Sequence, residues 1–112
     1  MNTSPRTAKA SAPAEARRAR RDLVDFGAPA TNASGIHDIR IVNISPLGLM
    51  GRVPTTLVAG ERLMFDLPHV RRVESVVRWV EDGRIGVEFV RAIPADHYAM
   101  MLAFMPQRKT RW

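Results

Sequence analysis

The sequence predicts an all-β domain, a six-stranded antiparallel sandwich or barrel followed by one C-terminal α-helix. Three observations carry that prediction. Between Asp22 and Phe89 apolar residues recur at alternate positions in short runs, the periodicity of half-buried strands. Clusters of Gly, Pro, Asn and Asp separate those runs at short intervals, as in antiparallel all-β folds. After Pro94 the spacing changes to i, i+3, i+4, i+7, which is helical.

The first strand runs from Asp22 to Ala30 and ends in the turn-rich Asn32-Ala33-Ser34-Gly35. Ile36 to Ile44 is the second, β-branched, with Ile39 and Ile41 alternating against Arg40. Asn43-Ile44-Ser45-Pro46-Leu47-Gly48 forms a tight connection into a third strand, Leu49 to Val53. Beyond Pro54 to Gly60, Leu63, Phe65 and Leu67 alternate with Met64 and Asp66, and Pro68-His69 turns the chain. In the fifth strand Val73, Val77 and Trp79 share one face and Arg72, Glu74 and Arg78 the other, so Trp79 takes a core or rim position. Glu81-Asp82-Gly83 is a hairpin signal, and Ile85, Val87 and Phe89 alternate with Gly86 and Glu88 beyond it.

Pro94 suits the first turn of a helix over 94–105, with Tyr98, Met101, Leu102 and Met105 on one stripe and Pro106 as its stop. A helix that follows the strands caps an open end of a barrel. Its methionines fill core, because a flexible thioether fits irregular gaps.

A chain of 112 residues, 46% hydrophobic, holds one small domain with a real core. The absence of cysteine excludes a disulfide framework, thiolate metal sites and a thiol nucleophile, and fits a cytoplasmic protein. No apolar run is long enough to cross a bilayer, and residues 1–16 lack the apolar stretch of a secretory signal. These residues read as a disordered tail. The charge is concentrated: Arg6, Lys9, Arg17, Arg18, Arg20 and Arg21 face only Glu15 in residues 1–21, and the tail 106–112 carries Arg108, Lys109 and Arg111. Residues 22–105 keep eight bases against ten acids. A nucleic-acid-binding domain displays its basic stripe on the fold itself; here the bases flank the fold, which favours a compact anionic partner.

Two motifs sit about twenty residues apart. Arg17-Arg18-Ala19-Arg20-Arg21 contains an R-x-x-x-R pair in Arg17 and Arg21, and Asn43-x-Ser45-x-x-Gly48 is an N-x-S-x-x-G turn between two strands. Together with Val76-Val77-Arg78-Trp79 and Gly86-Val87-Glu88-Phe89, their order resembles the PilZ family over residues 17–104. The resemblance implies a bacterial six-stranded split barrel with a closing helix, and cyclic di-GMP as the ligand. It also implies a domain over 17–105, with 17–21 as a loop that wraps the ligand and 22–90 as the barrel. Output then passes to a downstream protein partner, with neither specific nucleic-acid binding nor membrane insertion, and without a cofactor.

By that resemblance Arg17 and Arg21 hold the ligand from the N-terminal loop, while Asn43 and Ser45 hold the base and nearby polar groups from the barrel surface. The chemistry suits the ligand: a guanidinium grips a phosphate or the guanine O6/N7 edge in a fork and stacks on a purine face. The family more often has Asp where Asn43 stands. Asn accepts with one uncharged oxygen and adds a donor, which weakens guanine discrimination. Gly48 answers either of two needs, a positive φ or a close approach of ligand to backbone. Arg18 and Arg20 are auxiliary charges, and the Trp79 ring is an auxiliary stacking candidate near the barrel mouth.

The structural alternatives are simple ones: a solvated charge run for the arginines and a turn residue for Ser45. No catalytic constellation is legible. His37, His69 and His97 lie in different elements without metal-like spacing and read as surface or loop histidines, so no enzyme is expected. Two rival functions are a protein-interaction module that binds no nucleotide, and basic tails that bind nucleic acid nonspecifically.

Overall fold

The computed structural model describes residues 20–53 and 57–107. Six strands close into an antiparallel barrel: β1 (Asp22–Asn32), β2 (Gly35–Ser45), β3 (Gly48–Arg52), β4 (Arg62–Leu67), β5 (Arg71–Glu81) and β6 (Arg84–Phe89). Their order around the barrel is β1-β2-β3-β6-β5-β4, and β1 closes onto β4 through Ala30↔Phe65 and Thr31↔Met64. Closure leaves no sheet edge open to another strand. The barrel is the form adopted, and the sandwich is not.

Alternation delivers the core. Leu63, Phe65 and Leu67 of β4 are buried between exposed or half-buried neighbours, as are Val73, Ser75 and Val77 of β5. They meet Val24, Ile39, Ile41, Ile44, Leu49 and Ile85 inside the barrel. Ser75, wholly buried, donates its hydroxyl to the Leu63 carbonyl at 2.8 Å, which offsets the cost of burying a polar group. At the β5–β6 hairpin Asp82 and Gly83 take φ of 52° and 76°, the left-handed pair that an Asp-Gly turn supplies.

Three bulges interrupt the ladders, between Leu23 and Phe26, Ile41 and Asn43, and Val77 and Trp79. Each extra residue reverses which face the next side chain takes. The third overturns the expected placement of Trp79. The residue does not continue the buried face of Val73 and Val77; it is 40% exposed on the outside, paired with Gly86. Arg78, the bulged residue, also faces outward and donates to Glu88 at 2.7 Å.

The helix, α1, spans Ala95–Leu102 with Pro94 as its N-cap. It is shorter than the expected 94–105: Phe104 and Met105 bond back to carbonyls only three residues earlier, so the chain leaves the α-helix in tight turns before Pro106. Tyr98, Met101 and Met105 enter the core, and Leu102 packs against it. The Tyr98 hydroxyl donates to Asp22 Oδ2 at 2.6 Å, with the Ile44 carbonyl at 3.0 Å as a second acceptor. One residue earlier, His97 Nδ1 lies 3.1 Å from Nε2 of His69 in the β4–β5 turn. Adjacent helical residues therefore grip opposite sides of one barrel end, and α1 caps that end as expected. His69 and His97 are the exposed surface residues expected, and the fold brings them together.

Candidate functional site

The β2–β3 connection combines a bond from its own side chain with two from outside, the Phe89 and Ile93 amides donating to the Leu47 and Pro46 carbonyls at 2.8 and 2.9 Å. Ser45 is 2% exposed; its Oγ accepts from the Leu47 amide at 3.1 Å and reaches the Gly48 carbonyl at 3.5 Å. In this conformation the hydroxyl is engaged inside the turn. Gly48 has no positive φ, which corrects the first of its two expected explanations. What it needs is space: a Cβ there would overlap the Val87 carbonyl oxygen of β6. The close approach is therefore strand to strand.

The bulge after Ile41 sets the face of Asn43. Ile39 and Ile41 point inward, and an unbroken alternation would send residue 43 inward too. Because Val42 is the extra residue, Asn43 emerges half-buried on the exterior, opposite Met50. Met50 pairs with Gly86, and Gly86 with Trp79. Asn43, Met50, Gly86 and Trp79 thus form one row across β2, β3, β6 and β5. The indole lies on Gly86, where a Cβ would overlap it, and a mid-strand glycine often marks such a close approach.

Arg21 precedes β1 and reaches this row, its Nη1 donating to Asn43 Oδ1 at 2.8 Å. One element of each sequence motif is therefore in direct contact across 22 residues of chain. The Asn43 amide completes its contacts through Nδ2 to Met50 Sδ at 3.8 Å. Asp22, next to Arg21, would neutralise the guanidinium if it folded back; its carboxylate instead takes the Tyr98 hydroxyl. Burial and then the Asp22 carboxylate push the Tyr98 phenol pKa up, while Arg20 and Arg21 nearby pull it down. Both arginines consequently lie close to this junction of helix and barrel. Arg20 is exposed, and Arg17 and Arg18 lie outside the described residues.

Chemically, the row offers a forked cation, a primary amide, a thioether and an exposed indole, a set suited to a planar ligand that carries negative charge. Among the described residues no group of three or more His, Cys, Asp or Glu is placed to hold a metal ion, and no helix is long and apolar enough to cross a membrane.

Comparison with known families agrees with this geometry. The family model described as PilZ domain matches residues 15–105. The chain belongs to the PilZ domain family. PilZ domains are adaptors of a cyclic di-GMP-binding family, binding modules and not enzymes. No curated protein matches the chain.

The resemblance grouped Arg21, Asn43, Ser45 and Gly48 in one site of this PilZ barrel; the structure brings Arg21 to Asn43 and puts Ser45 and Gly48 at the turn just beyond it. Sequence reasoning assigned no role at the site to Met50, Gly86, Asp22 or Tyr98. A glycine at an outward strand position was the available signal for Gly86. The bond between Tyr98 and Asp22 spans 76 residues and carries no local signature.

Proposed function

We propose that this PilZ domain is a bacterial, cytoplasmic receptor for cyclic di-GMP that passes its signal to a downstream protein. The observation that carries the reading is the contact of Arg21 with Asn43 on a row that also presents Trp79. Arg21 uses one N–H on Asn43 and keeps further donors for a phosphate or a guanine edge. Arg17 stands one R-x-x-x-R step earlier and supplies the second fork. Arg18 and Arg20 add charge. Trp79, exposed through its bulge, offers an aromatic face to a purine. Ser45 and Gly48 hold the turn that carries Asn43. Asn43 accepts from guanine with a neutral oxygen, which favours modest guanine discrimination.

The switch in this reading is electrostatic. Arg21 already rests on Asn43; ligand phosphates then neutralise Arg17 and Arg21, and the arginine segment closes over the row. The new surface is what a partner reads. Ligand stoichiometry, one molecule or two stacked together, follows from the same experiment that tests binding.

That experiment is calorimetric titration with cyclic di-GMP, with GTP as competitor and Arg21→Ala as control. Micromolar or tighter binding that GTP does not displace, weakened at least about tenfold in the variant, is expected. Absence of heat and of binding by a second method would replace the receptor with an interaction module that takes no nucleotide. Trypsin gives the second readout: cleavage after the Arg17–Arg21 cluster should slow at saturating ligand, and equal rates would remove the arm-ordering step.

A further inference from the structure

A second concave surface lies at the capped end of the barrel. A cleft of about 510 Å³ opens between the β4–β5 turn, the start of β5 and the segment that leads from β6 into α1. Val70, Val73 and Ile93 make its floor, and Arg72 and Arg91 stand on its rim. None of its lining residues belongs to the row of Asn43, Met50, Gly86 and Trp79. The volume is in the range of binding pockets, and an apolar floor with a few polar groups is their usual lining.

The cleft is held in shape by an unusual turn. His69 and Arg71 both have positive φ, 68° and 67°, a region that non-glycine residues rarely occupy. Their side chains are tied: Arg71 to Asp66 at 3.2 Å, and His69 to His97 at 3.1 Å. The imidazole centroids are 5.3 Å apart, longer than the N···N distance by roughly both ring radii. The rings therefore meet head-on in an N–H···N bond that joins the turn to the first turn of α1.

Charge decides what the cleft suits. Glu74, at its edge, is taken up by Arg62 at 2.9 Å. Arg72 and Arg91 form no ion pair or side-chain hydrogen bond among the described residues. Two uncommitted guanidinium groups therefore flank an apolar floor. The apolar surface also continues past the cleft: Val90 is 46% exposed, and Met100 and Phe104, on the same side of the helical segment as His97, are 52% and 63% exposed. A small molecule would fill the cleft and leave that extension bare, whereas a chain segment covers both.

We propose that this cleft is the docking site for an acidic segment of a partner protein, with an apolar side chain on the Val70–Val73–Ile93 floor and carboxylates on Arg72 and Arg91. The proposal rests on the adaptor reading for the existence of a partner and is independent of whether the row binds nucleotide. Its occupant is defined by charge complementarity and by the apolar extension along α1.

The test is selection of a random-peptide display library on the full-length protein, followed by binding of the best synthetic peptide to wild type and to the Arg72→Glu/Arg91→Glu double variant. Enriched peptides should combine Asp or Glu with large apolar residues. Reversal of both charges should weaken the peptide at least about tenfold, with the melting temperature and the cyclic di-GMP titration unchanged from wild type. Backbone amide shifts on peptide addition should cluster in 69–74 and 90–104. Failure to enrich peptides, enrichment of peptides without acids, equal binding by the double variant, or shifts confined elsewhere would each overturn the proposal. A wild type that takes peptide but no cyclic di-GMP would reject the nucleotide reading and leave this one standing.

Discussion

The β2–β3 and β4–β5 turns lie at the same end of the barrel, and different balances of local and distant bonds hold them in place. The first is shaped by its own side chain and backbone and braced from β6 and the segment after it: Ser45 bonds within the turn, Gly48 sits flush against β6, no residue in it has a positive φ, and the Pro46 and Leu47 carbonyls accept from the Ile93 and Phe89 amides. The second places His69 and Arg71 in the left-handed region and depends on partners outside itself, Asp66 and His97. Consecutive residues of α1 reach both, Tyr98 to the end of β2 and His97 to the β4–β5 turn. A turn shaped by one of its own side chains leaves a motif in the sequence. A turn stabilised from a distance leaves none, because its determinants are scattered along the chain.

Four substitutions break or sharpen that contrast. Gly48→Ala has the largest effect. The new methyl meets a backbone carbonyl that the barrel cannot move, so stability should fall by about 3 kcal/mol, read from denaturant midpoints.

Tyr98→Phe follows. It removes a hydrogen bond to a carboxylate and should cost about 2 kcal/mol near neutral pH. It also carries a pH signature. The unfolded tyrosine ionises at about pH 10, whereas burial and Asp22 push the folded pKa above that value. The unfolded chain therefore loses the proton first. The stability contributed is complete below that pH and declines as pH rises beyond it. Wild type should lose stability more steeply than the variant on the alkaline side, and parallel curves would show that the phenol is not held as described.

Ser45→Ala leaves the Leu47 amide without its acceptor and should cost about 1 kcal/mol. Arg71→Gly is the smallest change and the only gain. It relieves a left-handed arginine and gives up an exposed ion pair of little worth. After the entropic cost of glycine, a net stabilisation of about 0.5 kcal/mol remains. A loss of that size instead would mean that the Arg71–Asp66 pair holds the turn more firmly than its exposure implies.

Much of the molecule was legible in advance. Strict alternation in β4 and β6 identified Leu63, Phe65, Leu67, Ile85, Val87 and Phe89 as core, and all are buried. Asp82-Gly83 announced its hairpin because the left-handed backbone it adopts is a local property of those residues. The candidate site was legible where it is local, at Asn43 to Gly48. Trp79 was misplaced because a bulge has no dependable marker in one strand; it exists only as a mismatch between two. Gly48 has no positive φ, and its need for space was illegible because the atom it avoids belongs to Val87, far along the chain.

By itself, then, the sequence determined the element order, the alternating core, the Asp-Gly hairpin and the charge in the flanking segments, since each depends on residues near one another in the chain. Only the tertiary structure decided the row of Asn43, Met50, Gly86 and Trp79, the contact of Arg21 with Asn43, and the bonds of His97 to the β4–β5 turn and of Tyr98 to β1 and β2. Those features depend on pairing register between strands and on bonds that span 22 to 76 residues. Register is a relation between segments, and closing the barrel is what sets it.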